Sequence, residues 1–308
     1  MLDSKVADAE VTVARRAASR RHGGDRRAAV FFVLPAVVLL LLLLAYPLVN
    51  DVRLSLAHLS PGVDEQFVGL GNYKAVLSDS DFWHSVWVTV KYAVISLVIE
   101  FIVGFGLALL MSRIVRGGGL LRTLILIPTM LTPSVAAINF RNLLNYNFGL
   151  VNYLIGLVGF SPRPWLASSG SSLAALVLTD VWRSTPFFVL VLSAGLLALS
   201  PEVMEATELD GANGWQKLIH VQVPMLIPLI LVTVLFRVID LFRTFDTVFT
   251  LTNGGPGNAT NVTSMQIYTD MYVGQYTSYA ATEAVVFLLL TLVVSGLIVR
   301  LMRLQRQS

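Results

Sequence analysis

The sequence predicts an all-α integral membrane protein with six transmembrane helices, and three observations carry that expectation. Hydrophobic residues make up 55% of the 308 and charged residues 13%, where a soluble domain carries about 25% charged. The charges that exist are unevenly spent, since residues 1–28 alone hold seven Lys or Arg and four Asp or Glu. The remainder divides into six long apolar runs, each near the roughly 20 residues that a helix needs to cross a bilayer.

The runs are Ala28–Asn50, Val86–Met111, Leu120–Ile138, Leu173–Leu199, Met225–Leu251 and Glu283–Met302. The first contains Leu39 to Leu44 in succession. It is too long, and its leader too acidic, for a cleaved signal peptide, so it is expected to remain as a span. Orientation follows from basic residues. With the N-terminus inside, cytoplasmic segments hold 14 Lys or Arg: seven in the tail, Arg113, Arg116, Arg122, Lys217, Arg300, Arg303 and Arg306. Outer segments hold four (Arg53, Lys74, Arg141, Arg163), and Lys91, Arg183, Arg237 and Arg243 fall inside spans. Both termini are therefore expected in the cytoplasm. The division is a tail over 1–28 and a six-span domain over 29–308.

Composition excludes several classes. With no cysteine, thiol nucleophiles, iron–sulfur clusters and Cys-ligated zinc are out. The four His (22, 58, 84, 220) lack metal-ligand spacing, and none of the four Lys (5, 74, 91, 217) closes a glycine-rich phosphate loop. No metal site, cofactor or ATP hydrolysis is expected in this chain. The net charge of +3 lies at membrane flanks, so no nucleic-acid partner is expected. Two Asn-x-Thr patterns at Asn258 and Asn261 read as loop composition.

One cytoplasmic segment, 200–222, departs from the basic pattern, with Glu202, Glu205, Glu208 and Asp210 against one Lys. Ser200-Pro201 signals a helix start with Glu202 in the first turn, Gly211 a stop, Asn213 with Gln216 a capping box, and Pro224 the next boundary. A helix, a glycine turn and a second short helix carrying Trp215, Leu218 and Ile219 should project between two spans. An acidic hairpin suits a protein partner better than anionic lipid headgroups.

Charges within spans are costly and default to a function with a named partner. Arg237, Asp240, Arg243 and Asp246 alternate in sign at three-residue spacing, drifting about 60° per step on a helix. Asp180 and Arg183 form a similar pair beside Pro186. These charges either hold helices or a second subunit together, or line a polar path. Glu100, mid-span, is expected to pair with another helix or to hold a proton. Pro128 and Pro133 are expected to bend the third span or to be tolerated kinks.

Glu205-Ala206-Thr207, three residues, Gly211, nine residues, then Val221-Gln222-Val223-Pro224 resembles the EAA loop of binding-protein-dependent ABC importers, with Thr207, Val221 and Val223 as departures of similar size. Phe67-Val68-Gly69-Leu70-Gly71-Asn72-Tyr73, Phe148-Gly149-Leu150-Val151-Asn152 and Leu251-Thr252-Asn253-Gly254-Gly255-Pro256 resemble stretches of the sugar-permease branch typified by maltose permeases. The resemblance covers residues 30–305. It implies a type I ABC importer permease fold, with Glu205, Ala206, Thr207, Asp210 and Gly211 forming a coupling helix seated on a cytoplasmic ATPase. It also implies Asp180, Arg183, Ser184, Phe187, Arg237, Asp240 and Leu241 as the substrate path for a disaccharide such as trehalose. The implied partners are a second homologous permease, two ATP-binding cassette subunits holding ATP and Mg, and an extracytoplasmic substrate-binding lipoprotein, all at a bacterial inner membrane. The competing reading is an ion-coupled secondary transporter acting alone, with Glu100 or Asp240 as coupling group. Such carriers usually show internal repeats, and none is evident.

Overall fold

The computed structural model describes residues 30–59, 65–113 and 118–305. The predicted tail over 1–28, Arg116 and Arg306 lie outside them. The chain separates into two compact units, residues 1–54 and 55–308. The described part of the first, residues 30–54, lies in helix α1 (Val30–Ser55), whose leucines from Leu39 to Leu44 are all exposed, a surface that suits lipid and not water.

The second unit opens with a short antiparallel ribbon, β1 (Ala57–His58) against β2 (Gln66–Phe67), with Ala57 opposite Phe67. The Gly69–Tyr73 stretch then folds back on it. Gly69 takes φ +57°, a conformation that favours glycine. Asn72 Nδ2 donates to the carbonyls of Ser55 and Ala57 at 3.0 and 2.7 Å, and the Tyr73 and Ser55 hydroxyls meet at 2.7 Å. Helix α2 (Gly71–Ser78) leads into α3 (Ser80–Arg113), which is longer than the predicted second span.

The third predicted span is bent sharply in the middle. Helix α4 (Gly118–Leu126) tightens into a 3₁₀ turn over Ile127–Met130 and stops, and α5 (Pro133–Leu143) leaves at 93° to the segment before it. Pro128 and Pro133 supply the cause. Each lacks an N–H, and Thr132, preceding a proline, is held extended at ψ 151°. Among the described residues, five helices are long and apolar enough to cross a membrane, and the bent pair makes up to six.

Helix α6 (Leu150–Leu157) follows. Its buried Asn152 staples the loop after it, accepting from Arg163 N at 3.0 Å and Trp165 Nε1 at 2.9 Å while donating to the Arg163 carbonyl at 3.0 Å. Helix α7 (Ser169–Leu197) carries Pro186 in its interior. Next come α8 (Pro201–Leu209), α9 (Gly214–Lys217), a π turn over Leu218–Gln222, and α10 (Val223–Phe242). Here two expectations change. Pro224 does not end the second short helix, because Gly214–Phe242 is one helical run and the π turn changes the hydrogen-bond register just before the proline. The fifth span ends at Phe242, so Arg243 caps α10 and Asp246 opens a separate helix, α11 (Asp246–Leu251). The four-charge stripe therefore reduces, on α10, to Arg237 and Asp240.

The Leu251–Pro256 stretch folds into a loop in which Thr260 Oγ1 donates to Thr252 Oγ1 at 2.7 Å, with the Gly255 carbonyl at 2.8 Å. Then α12 (Thr263–Tyr268), a π turn over Thr269–Val273 and α13 (Thr277–Gln305) complete the chain.

The core lies where α3, α7, α10 and α13 meet. Tyr92, Leu176, Leu241, Phe242 and Phe287 belong to one cluster, and Ala108, Phe188, Leu192 and Leu226 to a second. Two glycines allow the helices to approach. A Cβ at Gly104 would stand 2.5 Å from Phe188 Cβ, and one at Gly195 would stand 2.3 Å from Leu229 Cδ2. Since overpacking costs about 1–3 kcal/mol, Gly104→Ala is expected to lower the melting temperature of the solubilised protein by several degrees, measurable by thermal unfolding in detergent. An unchanged melting temperature would show that Phe188 can give way.

Candidate functional site

Two regions stand out, one inside the bundle and one at an exposed end. Inside, α10 brings Arg237 between α3 and α7, with its side chain 3% exposed. Its Nε donates to Glu100 Oε2 at 2.7 Å and its Nη2 to Glu100 Oε1 at 2.8 Å, a two-point fork onto α3. Nη2 also donates to Asp180 Oδ2 on α7, and Nη1 to Asp240 Oδ2 one turn along α10. Arg183 Nη2 lies 3.5 Å from Asp180 Oδ1 and 3.8 Å from Asp240 Oδ2, and Ser184 Oγ donates to Asp180 Oδ1 at 3.4 Å. Glu100 and Asp180 are sealed at 0% and 2% exposure, whereas the Asp240 side chain is 59% exposed. The two guanidinium groups thus match in number the two buried carboxylates, Glu100 and Asp180, as buried ions in a low-dielectric interior require, and the third carboxylate, Asp240, is exposed.

Beside this cluster an open pocket of about 530 Å³ is lined by Thr129, Arg183, Ser184, Phe187, Phe236, Arg237, Ile239, Asp240 and Arg243. Five expected path positions, Arg183, Ser184, Phe187, Arg237 and Asp240, share this wall. Two do not. Asp180 is buried beside Arg237, and Leu241 is fully buried in the core with Tyr92, since consecutive residues on a helix point about 100° apart. The 3₁₀ turn at the break of the third span supplies Thr129, a residue the sequence did not single out although Pro128 and Pro133 bracket it. Glu100 was expected to pair with another helix or hold a proton, and it pairs with Arg237.

The pocket offers donors from Arg183 and Arg243 and an acceptor at Asp240, with Phe187 and Phe236 as apolar flanks. A few polar groups converging on a largely apolar wall is the usual make-up of a small-molecule site.

The second region is the hairpin of α8 and α9. Pro201 occupies the first turn, and Ser200 Oγ donates to Glu202 Oε2 at 3.1 Å. Gly211 adopts φ +76°, and a Cβ added there would meet nothing within 4 Å, so its requirement is conformational and not steric. Gly211 N and Ala212 N close the helix end on the carbonyls of Glu208 and Thr207 at 3.1 and 3.2 Å. The expected capping box is present: Asn213 Oδ1 accepts from Trp215 N and Gln216 N, and Gln216 Oε1 accepts from Asn213 N. Thr207 spends its hydroxyl on the Val203 carbonyl at 2.7 Å, which makes it a tolerable substitute for alanine. Lys217 Nζ reaches Glu208 Oε1 at 2.6 Å and ties the two helices together.

No residue of α8 is buried. Glu205, Ala206 and Asp210 face outward, and Leu209 and Trp215 are 89% and 69% exposed. Leu209 is a large apolar side chain at the tip that sequence reasoning overlooked. The hairpin thus exposes leucine and tryptophan beside acidic side chains, an apolar patch with a charged rim.

The helical bundle with these two regions is of the polytopic transporter class. The chain belongs to the binding-protein-dependent transport system inner membrane component family, whose model matches residues 13–307. Its relatives include the trehalose/maltose transport system permease protein MalF of Thermococcus litoralis, 37% identical over 226 residues that cover 73% of this chain and 77% of that protein. The trehalose transport system permease protein SugA of Mycobacterium tuberculosis is 37% identical over 232 residues, covering 75% and 74%. Among solved structures, a bacterial alginate ABC transporter in complex with an alginate-pentasaccharide-bound periplasmic protein superposes with TM-score 0.77 at 19% identity, over 87% of this chain and 91% of that one. The fold is therefore that of a type I ABC transporter permease, and the chain is a permease subunit of an ABC importer.

Proposed function

We propose that this permease imports a sugar, a disaccharide such as trehalose, across a bacterial inner membrane with both termini in the cytoplasm. It forms half of the translocation path with a second homologous permease and receives cargo from an extracytoplasmic binding protein. It draws energy from two ATPase subunits, which hold ATP and Mg and dock on the α8–α9 hairpin through Glu205, Ala206, Thr207, Asp210 and Gly211. The observation that carries this reading is the pocket wall where Arg183, Ser184, Phe187, Arg237 and Asp240 converge beside the buried cluster. A polyhydroxylated sugar needs such donors and acceptors, with an apolar flank for its ring faces.

A self-powered carrier needs a carboxylate free to bind and release its coupling ion. Glu100 is sealed and held by Arg237 through both oxygens, and an exposed acidic hairpin has no role in a carrier that works alone, which favours the partner-driven reading.

Trehalose uptake by Asp240→Asn and Arg183→Ala tests the path. Losing one good polar contact is worth about 1.4 kcal/mol, or tenfold in affinity, so each variant is expected to raise the KM of uptake about tenfold at wild-type abundance in the membrane. Unchanged KM in both would remove this wall from the path.

A further inference from the structure

We propose that Glu100, on α3 and sealed from the pocket, is a positioning residue for the cargo wall: it holds the Arg237 guanidinium in one plane so that Arg237 in turn presents Asp240 to the pocket. The proposal rests on reading that pocket as the cargo path and adds to it a residue that touches neither cargo nor solvent.

A guanidinium has five N–H donors in a rigid fork. Arg237 commits Nε and Nη2 to the two oxygens of Glu100, a second Nη2 hydrogen to Asp180, and Nη1 to Asp240. Only the Glu100 contact uses two atoms of each partner, so it alone fixes both the position and the plane of the fork. The contacts to Asp180 and Asp240 are single-point and allow the fork to pivot. Asp240 is the one carboxylate of the cluster open to the pocket, at 59% exposure against 0% for Glu100 and 2% for Asp180. Its Oδ2 faces the Arg237 Nη1 and the more distant Arg183, which leaves its Oδ1 with no hydrogen bond among the described residues. The plane set by Glu100 thus determines where the free acceptor of the wall stands. Arg237 and Asp240 sit three residues apart on one helix, so the sequence could explain their pairing without Glu100. Glu100 comes from 137 residues away and is needed for the plane alone.

A purely structural role, gluing α3 to α10, makes a different prediction, and the absence of native cysteine allows the two to be separated. Phe236 lines the pocket four residues before Asp240, on the same helical face. In the transporter assembled with its partner subunits, Phe236→Cys is labelled with a cationic and an anionic thiosulfonate reagent, and the ratio of the two rates reports the local charge. Asp240→Asn in that background sets the ratio for a wall without its carboxylate. Glu100→Asp keeps the charge but is one methylene too short for the two-point fork, so a change of ratio in it reports where Asp240 stands and not the loss of a nearby charge; it is expected to move the ratio at least threefold in the same direction, and to raise the KM of trehalose uptake more than it lowers the maximal rate. Glu100→Gln, which loses the charge as well, is expected to move the ratio further. A wild-type ratio in Glu100→Asp, with Asp240→Asn shifted, would overturn the positioning role and leave the path reading standing. A wild-type ratio in Asp240→Asn as well would show that Asp240 does not face the pocket, and the path reading would fall with it.

Discussion

Arg237→Leu is expected to destabilise the protein by about 3–5 kcal/mol, the usual cost of leaving buried charges without their partner. Glu100 and Asp180 are 0% and 2% exposed and both depend on this guanidinium. Removing it leaves two carboxylates facing each other inside the bundle, with Arg183 3.5 Å from Asp180 as the nearest compensation. The consequence should be low abundance in the membrane, a melting temperature many degrees below wild type, and no measurable uptake. Thermal unfolding of the solubilised complex checks it. Neutralising the acids as well, in Glu100→Gln/Asp180→Asn/Arg237→Leu, is expected to recover much of the stability without recovering uptake, because apolar or neutral replacements of a buried ion cluster are often tolerated. Wild-type stability in the single variant would mean that the cluster is hydrated, contrary to its burial.

Gly211→Pro should produce the opposite pattern, a stable protein that does not work. Gly211 stands at φ +76° with its N–H bonded to the Glu208 carbonyl, whereas proline is locked near −65° and has no N–H. The turn between α8 and α9 cannot form with it, yet no buried residue of α8 depends on that turn. Insertion is expected to be normal, while uptake falls at least a hundredfold because the hairpin no longer meets its partner. Glu205→Lys, which reverses one exposed charge and strains nothing, is expected to act in the same direction more weakly. The check is sugar uptake normalised to membrane abundance. Full uptake by both variants would remove the docking assignment.

The spans and the hairpin were legible because their signals are local. Twenty apolar residues announce a crossing, and Pro201, Gly211 and the Asn213–Gln216 box each act within a turn of where they stand. The break in the third span was half legible: Pro128 and Pro133 mark where a helix weakens, but the 93° angle is decided by what α5 packs against. The ion cluster was the least legible part. Spacing placed Arg237 and Asp240 on one helix face, yet nothing periodic names a neighbour 137 residues distant, so Glu100 stayed a lone carboxylate until the fold supplied its partner. Spacing also misled. The alternating charges from 237 to 246 suggested one stripe, and the helix ends at Phe242 before the stripe is complete. Leu241 was transferred from the resemblance with Asp240, but one residue along a helix is about 100° around it, and that rotation takes Leu241 into the core.

The proposed function ties sugar movement by this chain to an ATP-driven assembly. Gentle purification of the tagged protein from detergent, with identification of what accompanies it and measurement of ATP hydrolysis with and without trehalose-loaded binding protein, decides it. A second permease and a pair of ATPase subunits are expected, with hydrolysis stimulated by the loaded binding protein and lost in Gly211→Pro. A lone chain that accumulates trehalose on an ion gradient, without ATP, would contradict it.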